Sequence, residues 1–162
     1  MSKVYRVLRK AYARSAFDGE GAYRYGGRWS SPGTRLCYTS QHQSLAMLEY
    51  FVHLDKDDPP DDLVLAMAEI PGGVPRARIR SDDLPANWRA PAAPPELARF
   101  GDEFVRRGKH CLLIVPSVLA PHEQNCLINP AHPDFKKIVA LGTEPLDYDR
   151  RLFRGHGRRG HH

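Results

Sequence analysis

The sequence predicts a single α+β domain. Three observations carry that prediction. Apolar runs of strand length outnumber helical ones, the helical stretches do not alternate regularly with the strands, and no linker or internal repeat divides the chain. The 162 residues fit one domain. A chain of this size buries roughly 70% of its unfolded surface, enough for a core without staples.

The elements follow in order. Residues 3–9, KVYRVLR, alternate and are rich in valine and tyrosine, which predicts a strand. A polar, glycine-containing stretch runs to Gly33, and residues 35–39, RLCYT, predict a second strand. Ser40 or Gln41 opens a helix, HQSLAMLEYFVHL, which the acidic, proline-rich DKDDPPDD breaks. Residues 63–70, LVLAMAEI, form a buried strand closed by Pro71-Gly-Gly, and a short strand follows at 77–79. Residues 83–95 are rich in proline and alanine and predict a loop.

Residues 96–107 predict an amphipathic helix with Leu97, Phe100, Phe104 and Val105 inward and Gly108 as its stop. Its acids come early and most of its bases late, which suits the helix dipole. Residues 111–115 are a fully apolar strand closed by Pro116-Ser117. Further strands are expected at 125–128, over 136–141 after the turn NPAHPD, and near 150–153.

Composition narrows the function classes. Charged residues make up 27% and hydrophobic residues 41% of the chain, ordinary values for a globular protein. No apolar run approaches the ~18–20 residues that span a bilayer. MSKVYRVLRK has no signal-peptide pattern. Cys37, Cys111 and Cys126 form an odd set without a CxxC pair, which predicts a reducing, cytoplasmic setting. The net charge of +5 favours an anionic partner. Part of that excess lies in a basic, glycine-rich tail, which predicts a flexible end over 154–162 behind a domain spanning 1–153.

Two places concentrate chemistry. On the helix that carries Glu49, Leu45, Leu48, Phe51 and Val52 predict the apolar stripe. Glu49 falls on the edge of that stripe, where partial desolvation calls for a partner. A boundary glutamate whose head reaches water would fit the same position. His42 and His53 lie on the same edge and receive no role.

The second place is GAYRYGGRWSSPGTRLCYTS, residues 21–40. Gly26-Gly27 lets the backbone approach a ligand, Arg24 and Arg28 present guanidinium forks, and Tyr23, Tyr25, Trp29 and Tyr38 offer flat faces. These are the parts of a site for a phosphate-plus-ring ligand. A basic surface hairpin with packed aromatics has the same composition, and both readings stand. Neither GxGxxG nor GxxxxGK[ST] is present. Ser117 lacks the GxSxG elbow of an acyl-transfer nucleophile. No spacing of histidine and cysteine makes a convincing zinc site, so no metal is predicted.

GGRWSSPG, LCYTS, SLAMLEYFVH, IVPSV and NCLINPAHPDF, in that order, resemble the signature of the RES-domain family, named for its Arg, Glu and Ser. The resemblance runs from Tyr5-Arg6 to Arg151-Leu152-Phe153. Ser30 departs from the asparagine that many members carry after GGRW.

The resemblance implies the toxin of a bacterial toxin–antitoxin pair with an ADP-ribosyltransferase-like fold of mixed and antiparallel strands flanked by a few helices. It implies NAD+ as substrate, with ADP-ribose passed to water, phosphate or a target protein. Carried over by motif, the family's arginine is Arg28, its tyrosine Tyr38, its glutamate Glu49 and its serine Ser117. Arg6 matches a second basic residue at the NAD site, and Asn125 and Asn129 match asparagines that line or support the pocket. Arg28, with Arg6, would clamp the diphosphate. Tyr38 would pack on the nicotinamide or its ribose, Glu49 would face the developing charge, and Ser117 would hold a polar group of the ligand. The implied partner is an Xre-type antitoxin that covers the active site. No membrane or direct nucleic-acid partner is expected. A basic, non-enzymatic nucleic-acid module is the rival from another class, and the scattered cations do not favour it.

Overall fold

The computed structural model describes residues 2–153, so the tail expected over 154–162 lies outside the described residues. The strands are β1 (Ser2–Arg9), β2 (Cys37–Ser40), β3 (Leu63–Ile70), β4 (Arg76–Arg78), β5 (Leu112–Pro116), β6 (Gln124–Ile128) and β7 (Val139–Pro145). The α-helices are α1 (Glu20–Tyr25), α2 (Gln43–Phe51) and α3 (Pro95–Arg107). The strands form one mixed sheet in the order β4-β5-β6-β2-β1-β3-β7, antiparallel except for the parallel pair β4–β5. The predicted α+β class is the observed one.

The apolar runs explain the order. LLIVP of β5 is buried at every position, as an interior strand with both faces covered requires. LVLAMAEI of β3 is nearly so. The three-residue β4 and the exposed β7 form the edges. The shortness of β4 limits pairing with other chains at that edge.

One join in the sheet is narrow. β1 pairs with β3 from Ser2↔Ile70 to Arg9↔Leu63, but meets β2 at Tyr5↔Ser40 alone. The sheet therefore has two halves, each with its own helix. On one, Leu97 of α3 packs with Trp29, Leu36, Trp88, Leu113 and Leu127. On the other, Ala46 of α2 packs with Val7, Leu63, Leu65 and Tyr148. No helix among the described residues is long and apolar enough to cross a membrane.

Three expectations change. The stretch before Gly33 holds α1 and a 3-10 turn at Lys10–Ser15. The strand expected near 150–153 is a 3-10 turn, Arg150–Phe153. There Phe153 closes a ring cluster with Phe51 and Tyr148 at centroid distances of 5.2 and 5.3 Å, which draws the segment onto α2 instead of the sheet edge.

The stripe on α2 is also rolled. Leu45 and Ala46 are buried, while Leu48 and Val52 are 52% and 55% exposed. Ala46 packs against Val7, Leu63 and Leu65 of the sheet. The roll turns Glu49, one turn beyond Leu45, towards the ends of β5 and β6.

Candidate active site

Glu49 lies where the two halves of the sheet meet. Its Oε1 accepts hydrogen bonds from Ser117 Oγ at 2.7 Å and Asn125 Nδ2 at 2.8 Å. Ser117 follows β5 and is fully buried, and Asn125 is on β6. The amides of Leu119 and Ala120 both donate to Ser117 Oγ, each at 3.1 Å. A hydroxyl has one proton and two lone pairs. With both lone pairs occupied, the Ser117 proton is directed at Glu49. The carboxylate is therefore held by donors that are themselves oriented.

Arg28 sits in a tight turn closed by the Gly27–Ser30 bridge. Tyr38 of β2 fixes that turn. Its hydroxyl accepts the Trp29 amide at 3.0 Å and shares a 2.7 Å hydrogen bond with Ser30 Oγ. Only glycine fits at position 27, because a Cβ there would lie 2.6 Å from the Tyr38 hydroxyl. Burial pushes the Tyr38 phenol up to about 12 against the pull of its Ser30 and Trp29 hydrogen bonds. It is thus a neutral anchor at physiological pH.

Arg28 donates to the carbonyls of Trp88 at 3.1 Å and Pro91 at 3.2 Å. Burial lowers its pKa, and the charge of Glu49 works the other way. The two groups are therefore in electrostatic reach of each other. From the opposite side, Asp102 of α3 accepts the Ser31 amide at 2.9 Å and the Thr34 hydroxyl at 2.7 Å. The turn is held by a helix, a strand and a loop at once.

The model of the RES domain matches residues 3–150. The chain belongs to the RES-domain family. Among its relatives is a protein of Sphingobium sp. (strain YBL2) named Prs ADP-ribosylating toxin, 37% identical over 147 residues, covering 90% of this chain and 91% of that protein. A protein named Toxin Res from Yersinia enterocolitica is 34% identical over 145 residues, covering 90% of this chain and 94% of its own. The fold is similar to that in the crystal structure of the M. tuberculosis MbcT-MbcA toxin-antitoxin complex, with a TM-score of 0.71 and 15% identity, covering 94% of this chain and 86% of that one.

Of the three residues carried over from the RES-domain signature, Arg28, Glu49 and Ser117, the structure brings two into contact. Ser117 is hydrogen-bonded to Glu49, whereas Arg28 feels the charge of Glu49 and spends its hydrogen bonds on the Trp88 and Pro91 carbonyls. Asn125 joins them directly and Tyr38 through the turn. Arg6 stands apart. It lies just past the single β1–β2 pair, and its guanidinium donates to the Ala16 carbonyl. Asn129 is buried and its side chain accepts the Ala131 amide at 3.1 Å, a structural place.

Some expected ligand faces are absent. Trp29 is buried in the α3 core, because the turn that leaves Arg28 half-buried points the indole inward. Tyr23 lies under the Arg35 guanidinium at 4.4 Å. A groove of about 890 Å³ between α3 and β4 is lined by Ile79, Phe100 and Phe104 and touches none of the RES-motif residues.

The sequence reading missed Ser40, Asp102 and the carbonyls that hold Arg28. Asp102 was visible only as an acid inside the predicted helix. The two carbonyls carry no side-chain signal at all.

Proposed function

We propose that this chain is the toxin of a bacterial toxin–antitoxin pair and cleaves the nicotinamide–ribose bond of NAD+. The contact of Ser117 and Asn125 with one oxygen of Glu49 carries the proposal. Bond cleavage releases neutral nicotinamide and leaves positive charge on the ribose. A pre-oriented carboxylate stabilises that charge without reorganising in the transition state. Glu49 plays this part, as carboxylates do in glycoside cleavage. The N–H groups of Arg28 not taken by Trp88 and Pro91 hold the diphosphate. Tyr38 keeps Arg28 in place and lines the nicotinamide-ribose side.

ADP-ribose then passes to water or phosphate. A protein side chain is the second acceptor reading, favoured by the Sphingobium relative named Prs ADP-ribosylating toxin. The partner is an antitoxin of the Xre type that covers the site. That the structural neighbour is a toxin-antitoxin complex supports an antitoxin partner.

The test is incubation of purified protein with NAD+, alone, with phosphate and with cell lysate, beside Glu49→Ala. Wild type should release nicotinamide, and the accompanying product names the acceptor. Glu49→Ala should be slower by at least ~100-fold, the scale for losing an electrostatic stabiliser. Equal turnover in both proteins would remove Glu49 from the mechanism. No nicotinamide under any condition would remove NAD+ as substrate.

A further inference from the structure

We propose that Ser40 is a positioning residue for Glu49, acting through Asn125, and that Oε2 is the Glu49 oxygen presented to the substrate. The identity of the substrate rests on the NAD-cleaving proposal, whereas the positioning rests on geometry alone. Ser40 is buried, with 4% of its surface exposed, and touches no catalytic group directly. Its Oγ donates to Asn125 Oδ1 at 2.7 Å. The two residues are partners in the β2–β6 register, so their side chains share one face of the sheet.

The consequence lies in the orientation of an amide. The two ends of an asparagine carboxamide have nearly the same shape but opposite roles, one accepting and one donating. With Oδ1 held by Ser40, Nδ2 faces Glu49 and donates to it at 2.8 Å. Turned over, the amide would set Oδ1 against a carboxylate oxygen, acceptor against acceptor. Ser40 therefore selects the productive orientation.

Both Ser117 and Asn125 converge on Oε1. Among the described residues Oε2 accepts no hydrogen bond, and every buried side-chain nitrogen or oxygen there has a partner. Oε2 is consequently not fully buried. The carboxylate is tied by one oxygen and works with the other.

Two measurements on the full chain test this. The first needs no substrate: side-chain NMR of the Asn125 amide protons. Wild type should show two distinct, slowly exchanging protons, and Ser40→Ala should speed their exchange with solvent. Wild-type protons exchanging like those of an exposed asparagine would overturn the proposal, even if the variant fails to fold. So would an amide indifferent to Ser40→Ala.

The second is the kinetics of nicotinamide release. Ser40→Ala should lower kcat about 10-fold with KM within about 2-fold, the scale of one lost orienting hydrogen bond. Ser40→Thr, which keeps the hydroxyl, should stay within about 3-fold of wild type, on the same single-bond scale. Equal losses in the alanine and threonine variants would overturn the proposal. If wild type releases no nicotinamide while its amide responds to Ser40, the NAD-cleaving proposal fails and the positioning of Glu49 stands.

Discussion

Gly101 of α3 stands against the carbonyl of Trp29 so closely that a Cβ at position 101 would lie 1.8 Å from that oxygen. No side chain of any size fits there without displacing backbone. One residue on, Asp102 holds Ser31 and Thr34. α3 therefore sets the height of the Arg28 turn over the sheet.

Gly101→Ala should destabilise the fold by at least about 1–3 kcal/mol, the usual range for overpacking. The neighbour is main chain, so it cannot relax by changing rotamer. Urea unfolding would read the loss. Nicotinamide release should fall as well, because Arg28 moves with Trp29. A variant as stable as wild type would mean that α3 and the turn separate at little cost.

Arg28→Lys should slow turnover by at least ~10-fold despite keeping the charge. An ammonium cannot serve two carbonyls and a ligand in the geometry of a planar fork. The contacts at stake are those with Trp88 and Pro91. NAD+ affinity and rate, measured together, decide this. Unchanged values would show that only a point charge is needed.

Tyr38→Phe should cost about 1–3 kcal/mol, because the Trp29 amide loses its buried acceptor. It should also change the alkaline behaviour. The phenol sits at about 12 in the fold against an ordinary value of 10.0. Below the ordinary value both states are protonated. Above it the unfolded chain ionises first, so wild-type stability falls between about 10 and about 12. Phenylalanine removes that component. Unfolding curves taken on either side of pH ~10 should therefore converge for the two proteins as pH rises.

Asp102→Asn probes charge alone. Burial pushes the Asp102 carboxyl up, but hydrogen bonds from Ser31 and Thr34 outweigh it and hold the group below its ordinary value of 3.8. Its contribution is present above that value and is lost as pH falls through the lower folded pKa. The stability gap between wild type and Asp102→Asn should therefore shrink as acid is added. A gap that stays constant would mean that the charge plays no part in holding the turn.

Some of this was legible in the sequence and some could not be. β3 was readable because a strand covered on both faces needs an unbroken apolar run. Glu49 and Ser117 were readable from the family motifs that contain them. α1 was not, because EGAYRY is too short to show a period. Trp29 was misread because composition cannot say which way a ring faces. Ser40 was invisible because its partner is fixed by the β2–β6 register, which no local pattern encodes. The exposed Leu48 and Val52 have the same lesson: hydropathy marked a stripe, and packing against the sheet buried Leu45 with Ala46 instead.

The bonds that hold Glu49 cross the narrow join in the sheet, and they also cross a long stretch of chain. Ser117 lies 68 residues after Glu49, and Asn125 lies 76 after it. On the ribosome, α2 is made long before either strand that completes it. Until β5 and β6 have been made, the Glu49 carboxylate lacks both donors that orient it. The oriented carboxylate is thus a property of the finished fold and of no shorter stretch of the chain.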